Sequence, residues 1–109
     1  MRVRSIALLL TFGLLLAGPV QTVNAGPASH TVTIDGTQYT PQELTIKVGD
    51  TVVWVNKDPF PHTVTAQTGG FDSKSIAPGK SWKYKATKRG DFPYVCSFHP
   101  TMKGTLRVQ

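Results

Sequence analysis

The chain has a single cysteine in 109 residues, Cys96, so no intrachain disulfide can form and a disulfide-knitted small fold is excluded. Its two methionines are Met1 and Met102, which leaves Met102 alone once the N-terminus is set aside. There is no repeat, no low-complexity tract and no convincing helical period. No apolar run reaches the eighteen or more residues of a membrane-spanning helix. Acidic residues are scarce, six against twelve Lys and Arg. The length excludes a multidomain enzyme.

The longest apolar run, Ile6–Ala17, follows two arginines in Met1–Arg4 and precedes a polar stretch that ends Val23-Asn24-Ala25. At about 1.5 Å per residue the run spans roughly 18 Å, short of the ~30 Å hydrocarbon core. A basic start, a short apolar centre and a small-x-small end predict a secretory signal peptide over residues 1–25, with cleavage after Ala25. Val3 separates Arg2 from Arg4, so the twin-arginine pattern is absent and export in the unfolded state is expected. A periplasmic location follows, without stable membrane insertion, and any metal would be loaded after export.

Residues 26–109 are then the mature domain, 84 residues that remain cationic because only Arg2 and Arg4 leave with the leader. A domain this small buries a limited share of its surface and often relies on a metal. Period-two alternation dominates it. Val32 and Ile34 alternate with threonines, as do Leu44, Ile46 and Val48 with Thr45 and Lys47, and Trp82, Tyr84 and Ala86 with Ser81, Lys83 and Lys85. Thr51–Asn56 is apolar on both faces, as a central strand would be, while Phe92, Tyr94 and Cys96 share one face and Leu106 and Val108 another. Turn signals recur at Asp35-Gly36, Val48-Gly49-Asp50, Gly69-Gly70, Pro78-Gly79 and Arg89-Gly90-Asp91. The expected fold is all-β, an antiparallel Greek-key β-sandwich or barrel of seven to eight strands. Gly26–His30 reads as a loose lead-in, His30 as a solvated side chain, and Trp54 as ordinary core.

Cys96, His99 and Met102 stand three residues apart in what reads as a turn between two strands, and His62 ends the loop that leaves the central strand through Asn56. Loops at one end of a sandwich converge. A thiolate, two imidazoles and a thioether form the ligand set of a blue-copper site, whereas structural zinc prefers four Cys or His ligands and catalytic zinc keeps a place for water. The competing interpretation makes Cys96 an inert core thiol in a metal-free adhesion module. An immunoglobulin-like domain, however, expects paired cysteines around its core Trp, and Trp54 has none.

The chain resembles the small cupredoxins of the plastocyanin and azurin group, with the loop spacing of amicyanins. The resemblance runs from Pro41-x-x-Leu44-x-Ile46-x-Val48-Gly49-Asp50 through Val52-x-Trp54-x-Asn56 and His62 to the C-x₂-H-x₂-M loop and Lys103-Gly104-Thr105-Leu106. It implies one type 1 copper ion cycling between Cu(I) and Cu(II), with His62, Cys96 and His99 as equatorial ligands and Met102 as the axial one. It also implies that the Thr63 N–H donates to the Cys96 sulfur. Thr63 stands where many relatives have Asn, so its hydroxyl is expected to tie the two ligand loops, and Phe98 stands where amicyanin-like loops often carry proline.

Phe98 and Pro100, with Pro59, Phe60 and Pro61 from the other loop, are expected to form an apolar face around His99 at which redox partner proteins dock transiently. Lys74, Lys80, Lys83, Lys85, Lys88 and Arg89 fall in one stretch, Lys83 and Lys85 on an edge strand that their charge protects from pairing. Asn56 is expected to bind neighbouring loop backbone. The function this predicts is a soluble, monomeric one-electron carrier, not an enzyme, with no small-molecule substrate and no nucleic-acid partner. Periplasmic copper handling or resistance is the alternative, against which stands the absence of Met-rich and His-rich tracts.

Overall fold

The computed structural model describes residues 26–109 together with the isolated Gly13 and Gly18. The expected leader otherwise lies outside the described residues. Eight strands follow in order: β1 (Ser29–Asp35), β2 (Gln38–Thr40), β3 (Glu43–Ile46), β4 (Thr51–Asn56), β5 (Thr65–Ala66), β6 (Ser81–Lys85), β7 (Gly90–Cys96) and β8 (His99–Val108). They form two four-stranded sheets, ordered β2-β1-β4-β6 and β3-β8-β7-β5. No helix occurs among the described residues.

The all-β sandwich is as expected, but the sheets are mixed. β1 runs parallel to β4 and β3 parallel to β8, while the other pairings are antiparallel. Alternation identifies which side chains face inward, not which way the neighbouring strand runs. Parallel neighbours arise here because the chain crosses to the other sheet between them. β4 is interior in its sheet, with Val52, Trp54 and Asn56 buried, and β6 is an edge strand whose Lys83 and Lys85 point outward, both as the pattern predicts.

Three local expectations change. Val48 is 44% exposed, because β3 ends at Ile46 and the chain turns through Gly49 at φ +96°, with the Asp50 N–H donating to the Lys47 carbonyl. β1 begins at Ser29, so His30 lies in a strand, and its Nε2 sits 3.0 Å from an Asp50 carboxylate oxygen. Cys96 closes β7 and His99 opens β8, separated by the two-residue turn Ser97-Phe98, so Met102 sits within a strand.

The sheets enclose Val32, Ile34, Val52, Trp54, Tyr94 and Leu106, none more than 1% exposed. Trp54 bridges the two layers: it pairs across β4–β6 with Trp82, and its Nε1–H donates to the Tyr94 hydroxyl of β7 at 3.3 Å. Tyr94 in turn lies over Gly104, its partner on β8. A Cβ at Gly104 would fall inside the Tyr94 ring, so only glycine fits there. This packed centre fixes one end of the sandwich, where β4, β7 and β8 deliver Asn56, Cys96 and His99.

Candidate metal centre

The loop from Asn56 to His62 is wired by side chains that sit where β4 runs out of backbone partners. Asn56 is fully buried. Its Nδ2 donates to the carbonyls of Phe60 and Ile76, both at 2.9 Å, and its Oδ1 accepts the Asp58 N–H at 3.0 Å. Asn56 thus binds loop backbone, as its position predicts. His62 is held by a two-way backbone bridge, its N–H donating to the Ile76 carbonyl at 3.2 Å and its carbonyl accepting from Ile76 at 2.7 Å.

Asp58 orients the His62 ring. One carboxylate oxygen accepts the Gly36 N–H at 2.7 Å, while the other accepts the Thr37 N–H at 2.9 Å and faces His62 Nε2 at 2.7 Å. Burial works against the charge on this carboxylate, but these donors outweigh it and hold its pKa below the ordinary range. An ionised carboxylate only accepts. The His62 proton therefore resides on Nε2, and the Nδ1 lone pair is free to bind a metal. The same carboxylate clasps the β1–β2 hairpin, whose Gly36 and Thr37 have φ +62° and +58°. A left-handed conformation is costly for a β-branched threonine, and the two N–H bonds to Asp58 offset that cost.

His62 Nδ1 lies 3.6 Å from Cys96 Sγ, and His99 Nδ1 lies 3.7 Å from it. All three donor atoms fall within 4.8 Å of one another. With bonds of roughly 2.0 Å to nitrogen and 2.3 Å to sulfur, a nitrogen and a sulfur placed trigonally about one ion would stand about 3.7 Å apart, which both observed N···S distances match. Met102 is buried on β8, three residues past His99.

Cys96 faces inward with Tyr94 by the alternation of β7, and the β7–β8 ladder shifts register there, from Val95 opposite Lys103 to Cys96 opposite His99. Its sulfur accepts the Thr63 N–H at 3.3 Å, as the resemblance implies. Thr63 also joins the two ligand loops. Its hydroxyl accepts the Ser97 N–H at 2.8 Å and contacts the hydroxyls of Ser97 and Thr65 at 3.2 and 3.0 Å, and Thr65 donates on to Asp72 at 3.1 Å. The Thr63 hydroxyl thus ties the two ligand loops, as expected. Beneath Thr63, its carbonyl accepts the Tyr39 hydroxyl at 2.5 Å. Burial first, then the Cys96 and Tyr94 charges, push the Tyr39 pKa far above its usual value, so this O–H remains a donor.

His99 is half-buried, its ring 5.8 Å from Phe60, and Phe60 and Phe98 are 40% and 53% exposed. Sequence reasoning singled out neither Asp58 nor Tyr39. Asp58 carried a usable signal: a carboxylate four residues before a ligand histidine in a proline-bounded loop. Tyr39 carried none, because its bond to Thr63 spans two distant strands.

The Cupredoxin-like domain family matches the chain over residues 5–108. The chain is 31% identical over 101 residues to amicyanin-alpha of Methylorubrum extorquens, covering 87% of this chain and 85% of that one. It is 34% identical over 84 residues to plastocyanin of Scenedesmus fuscus, covering 65% and 86%. Among solved structures, an oxidised amicyanin variant superposes with a TM-score of 0.70 at 30% identity over 74% of this chain and 82% of that one. A copper-containing nitrite reductase from Thermus scotoductus superposes at 0.71 with 34% identity over 86% of this chain, but only 26% of its own. By family match, fold and the arrangement of its donor atoms, the chain belongs to the cupredoxin-like domain family.

Proposed function

We propose that the protein is an exported one-electron carrier that binds one copper ion at a type 1 site formed by His62, Cys96, His99 and Met102. The observation that carries this reading is the convergence of His62 Nδ1, Cys96 Sγ and His99 Nδ1 within 4.8 Å of one another, each nitrogen 3.6–3.7 Å from the sulfur. Relatives named amicyanin and plastocyanin support it. Copper, when bound, supplies a couple between two oxidation states one electron apart.

The chain's contribution is to keep the ligands still while the charge changes. Asp58 and the Ile76 bridge hold His62, the Thr63 N–H stabilises a thiolate at Cys96, and the Thr63 hydroxyl fixes the start of the Ser97 turn. Sulfur ligands favour copper(I), while imidazole accepts both states. His99 is the ligand nearest the surface, and the exposed Phe60 and Phe98 beside it form a small apolar face suited to brief encounters with a redox partner. The quarter-length match to a nitrite reductase concerns one portion of a larger enzyme. With Met102 as the fourth donor every position would be taken by a side chain, which supports electron transfer without bond chemistry. The N-terminal pattern supports export to the periplasm.

The test is the visible spectrum of copper(II)-loaded residues 26–109. An intense copper–thiolate band is expected, lost in Cys96→Ser. Phe98→Glu should keep the band and the copper content while slowing electron transfer to a partner. If copper(I) instead passes readily to a metal-free acceptor, and Phe98→Glu alters that passage but not electron transfer, copper handling is the function.

A further inference from the structure

Every tryptophan and tyrosine of the chain, two and three respectively, belongs to one continuous run through the molecule. It starts on the edge strand β6, where Tyr84 and Trp82 are half-buried and stack at 6.0 Å between ring centres with their planes 14° apart. Trp82 lies 5.6 Å from Trp54, and Trp54 lies 5.6 Å from Tyr94, to whose hydroxyl its Nε1–H donates. Tyr94 meets Tyr39 edge-on at 4.7 Å. The Tyr39 hydroxyl donates to the Thr63 carbonyl, and the Thr63 N–H donates to Cys96 Sγ.

The other aromatic residues are arranged differently. The exposed rings beside His99 are both phenylalanine, Phe60 and Phe98, while Phe71 packs among the rings of the run, 4.7 Å from Tyr84 and 6.1–6.2 Å from Trp54, Trp82 and Tyr94, with Phe92 behind it. Indole and phenol rings give up one electron to a strong oxidant far more readily than a phenyl ring does. The oxidisable rings therefore connect the β6 face to the ligand thiolate, and none is exposed at the end where His99 reaches the surface. Buried hydrogen bonds account for indole and phenol at Trp54, Tyr94 and Tyr39, but packing alone is satisfied by any large ring at Trp82 and Tyr84.

We propose that Tyr84, Trp82, Trp54, Tyr94 and Tyr39 form a relay that discharges strong one-electron oxidants arriving at β6 into the reduced Cys96 site. The proposal rests on the copper-carrier reading. The oxidants are small radicals, and the exposed Lys83 and Lys85 on the same strand favour anionic ones. The radical takes one electron from Trp82 or Tyr84 and leaves as its closed-shell anion. The vacancy moves inward as each ring is refilled by the next, and the last electron comes from the reduced site, which ends one electron oxidised. No ring gives up its N–H or O–H proton. The vacancy crosses Trp82, Trp54, Tyr94 and Tyr39 as a positive charge that is refilled at each hop, with the Trp54 Nε1–H and Tyr39 O–H held by their acceptors, so the net change is one electron from site to oxidant. Without the relay the vacancy would remain on β6 and end in oxygenation of Trp82 or Tyr84.

The experiment is pulse radiolysis of the reduced, copper-loaded protein with azide radical as the probe, following the indole radical and the copper–thiolate band together. The radical should decay at a rate independent of protein concentration, and the band should grow at that same rate. In metal-free protein the radical should live at least about tenfold longer, and peptide mass mapping should find more oxygenated Trp82 and Tyr84. Trp54→Phe and Tyr94→Phe, which keep a ring but remove an oxidisable one, should each slow the decay about tenfold, equivalent to 1.36 kcal/mol of barrier. Tyr94→Phe removes only a hydroxyl and decides the matter if Trp54→Phe fails to fold. Growth of the band that is second order in protein, or an unchanged rate in a folded variant, overturns the relay. Failure of the protein to develop the band on copper loading would instead overturn the copper-carrier reading.

Discussion

Replacing Asp58 by Asn probes the link between the β1–β2 hairpin and the metal centre with almost no change in shape. The carboxylate of Asp58 accepts three hydrogens: Gly36 N–H on one oxygen, Thr37 N–H and His62 Nε2–H on the other. An amide presents one oxygen and one NH₂. If the NH₂ takes the position facing Thr37 and His62, two donors are opposed by a donor. If it is flipped, the Gly36 N–H is opposed instead, and the remaining bonds lose the charge that strengthens them. Each unsatisfied buried donor costs about 1–3 kcal/mol, so the metal-free domain should lose roughly 2–5 kcal/mol. For a domain of this size that lowers Tm by roughly 4–8 °C per kcal/mol. His62 would also lose the bond that selects its tautomer, which typically weakens metal affinity about 10–100-fold. Urea unfolding of the metal-free protein measures the first effect, and competition titration with a copper chelator measures the second. A variant within about 0.5 kcal/mol of the parent with unchanged copper affinity would refute the assignment of Asp58 as the group that positions His62.

Other outcomes follow from single contacts. Gly104→Ala drives a methyl into the Tyr94 ring, and because both partners are held by strand pairing, the loss should reach or exceed the roughly 1–3 kcal/mol of an overpacked core, read as a lower urea midpoint. Met102→Gln should keep copper bound and lower the reduction potential, since removing a thioether removes a preference for copper(I); voltammetry showing an unchanged potential would mean that Met102 only packs. Asp50 is held at about 2 by the Ala28 N–H first, then by His30 and the Lys47 N–H. Its folded pKa lies below the ordinary value of about 3.9, so its stabilising effect is complete above pH ~4 and is lost as pH falls toward ~2. Asp50→Asn should therefore flatten the acid side of the stability profile in that window, as measured by urea midpoints at successive pH values.

Much of the molecule can be read along the chain because its information is local. Period-two alternation reports which residues face the core, so the strands around Trp54, Tyr94 and Leu106 and the outward lysines of β6 needed no tertiary knowledge. The C-x₂-H-x₂-M spacing places three donors within one turn and the start of the next strand, and the scarcity of Cys and Met makes those residues conspicuous. Which way neighbouring strands run was not local. β1 and β4 share a parallel ladder because of a crossover, and no side-chain pattern within either strand encodes it. Asp58 acquires its importance only when the hairpin at Gly36-Thr37 folds over it and supplies two N–H groups, and His30 is tied to Asp50 only because β1 and β4 begin side by side. The run from Tyr84 to Tyr39 likewise joins residues of β6, β4, β7 and β2. Their distances depend on how two sheets stack, so this path exists only in the folded protein.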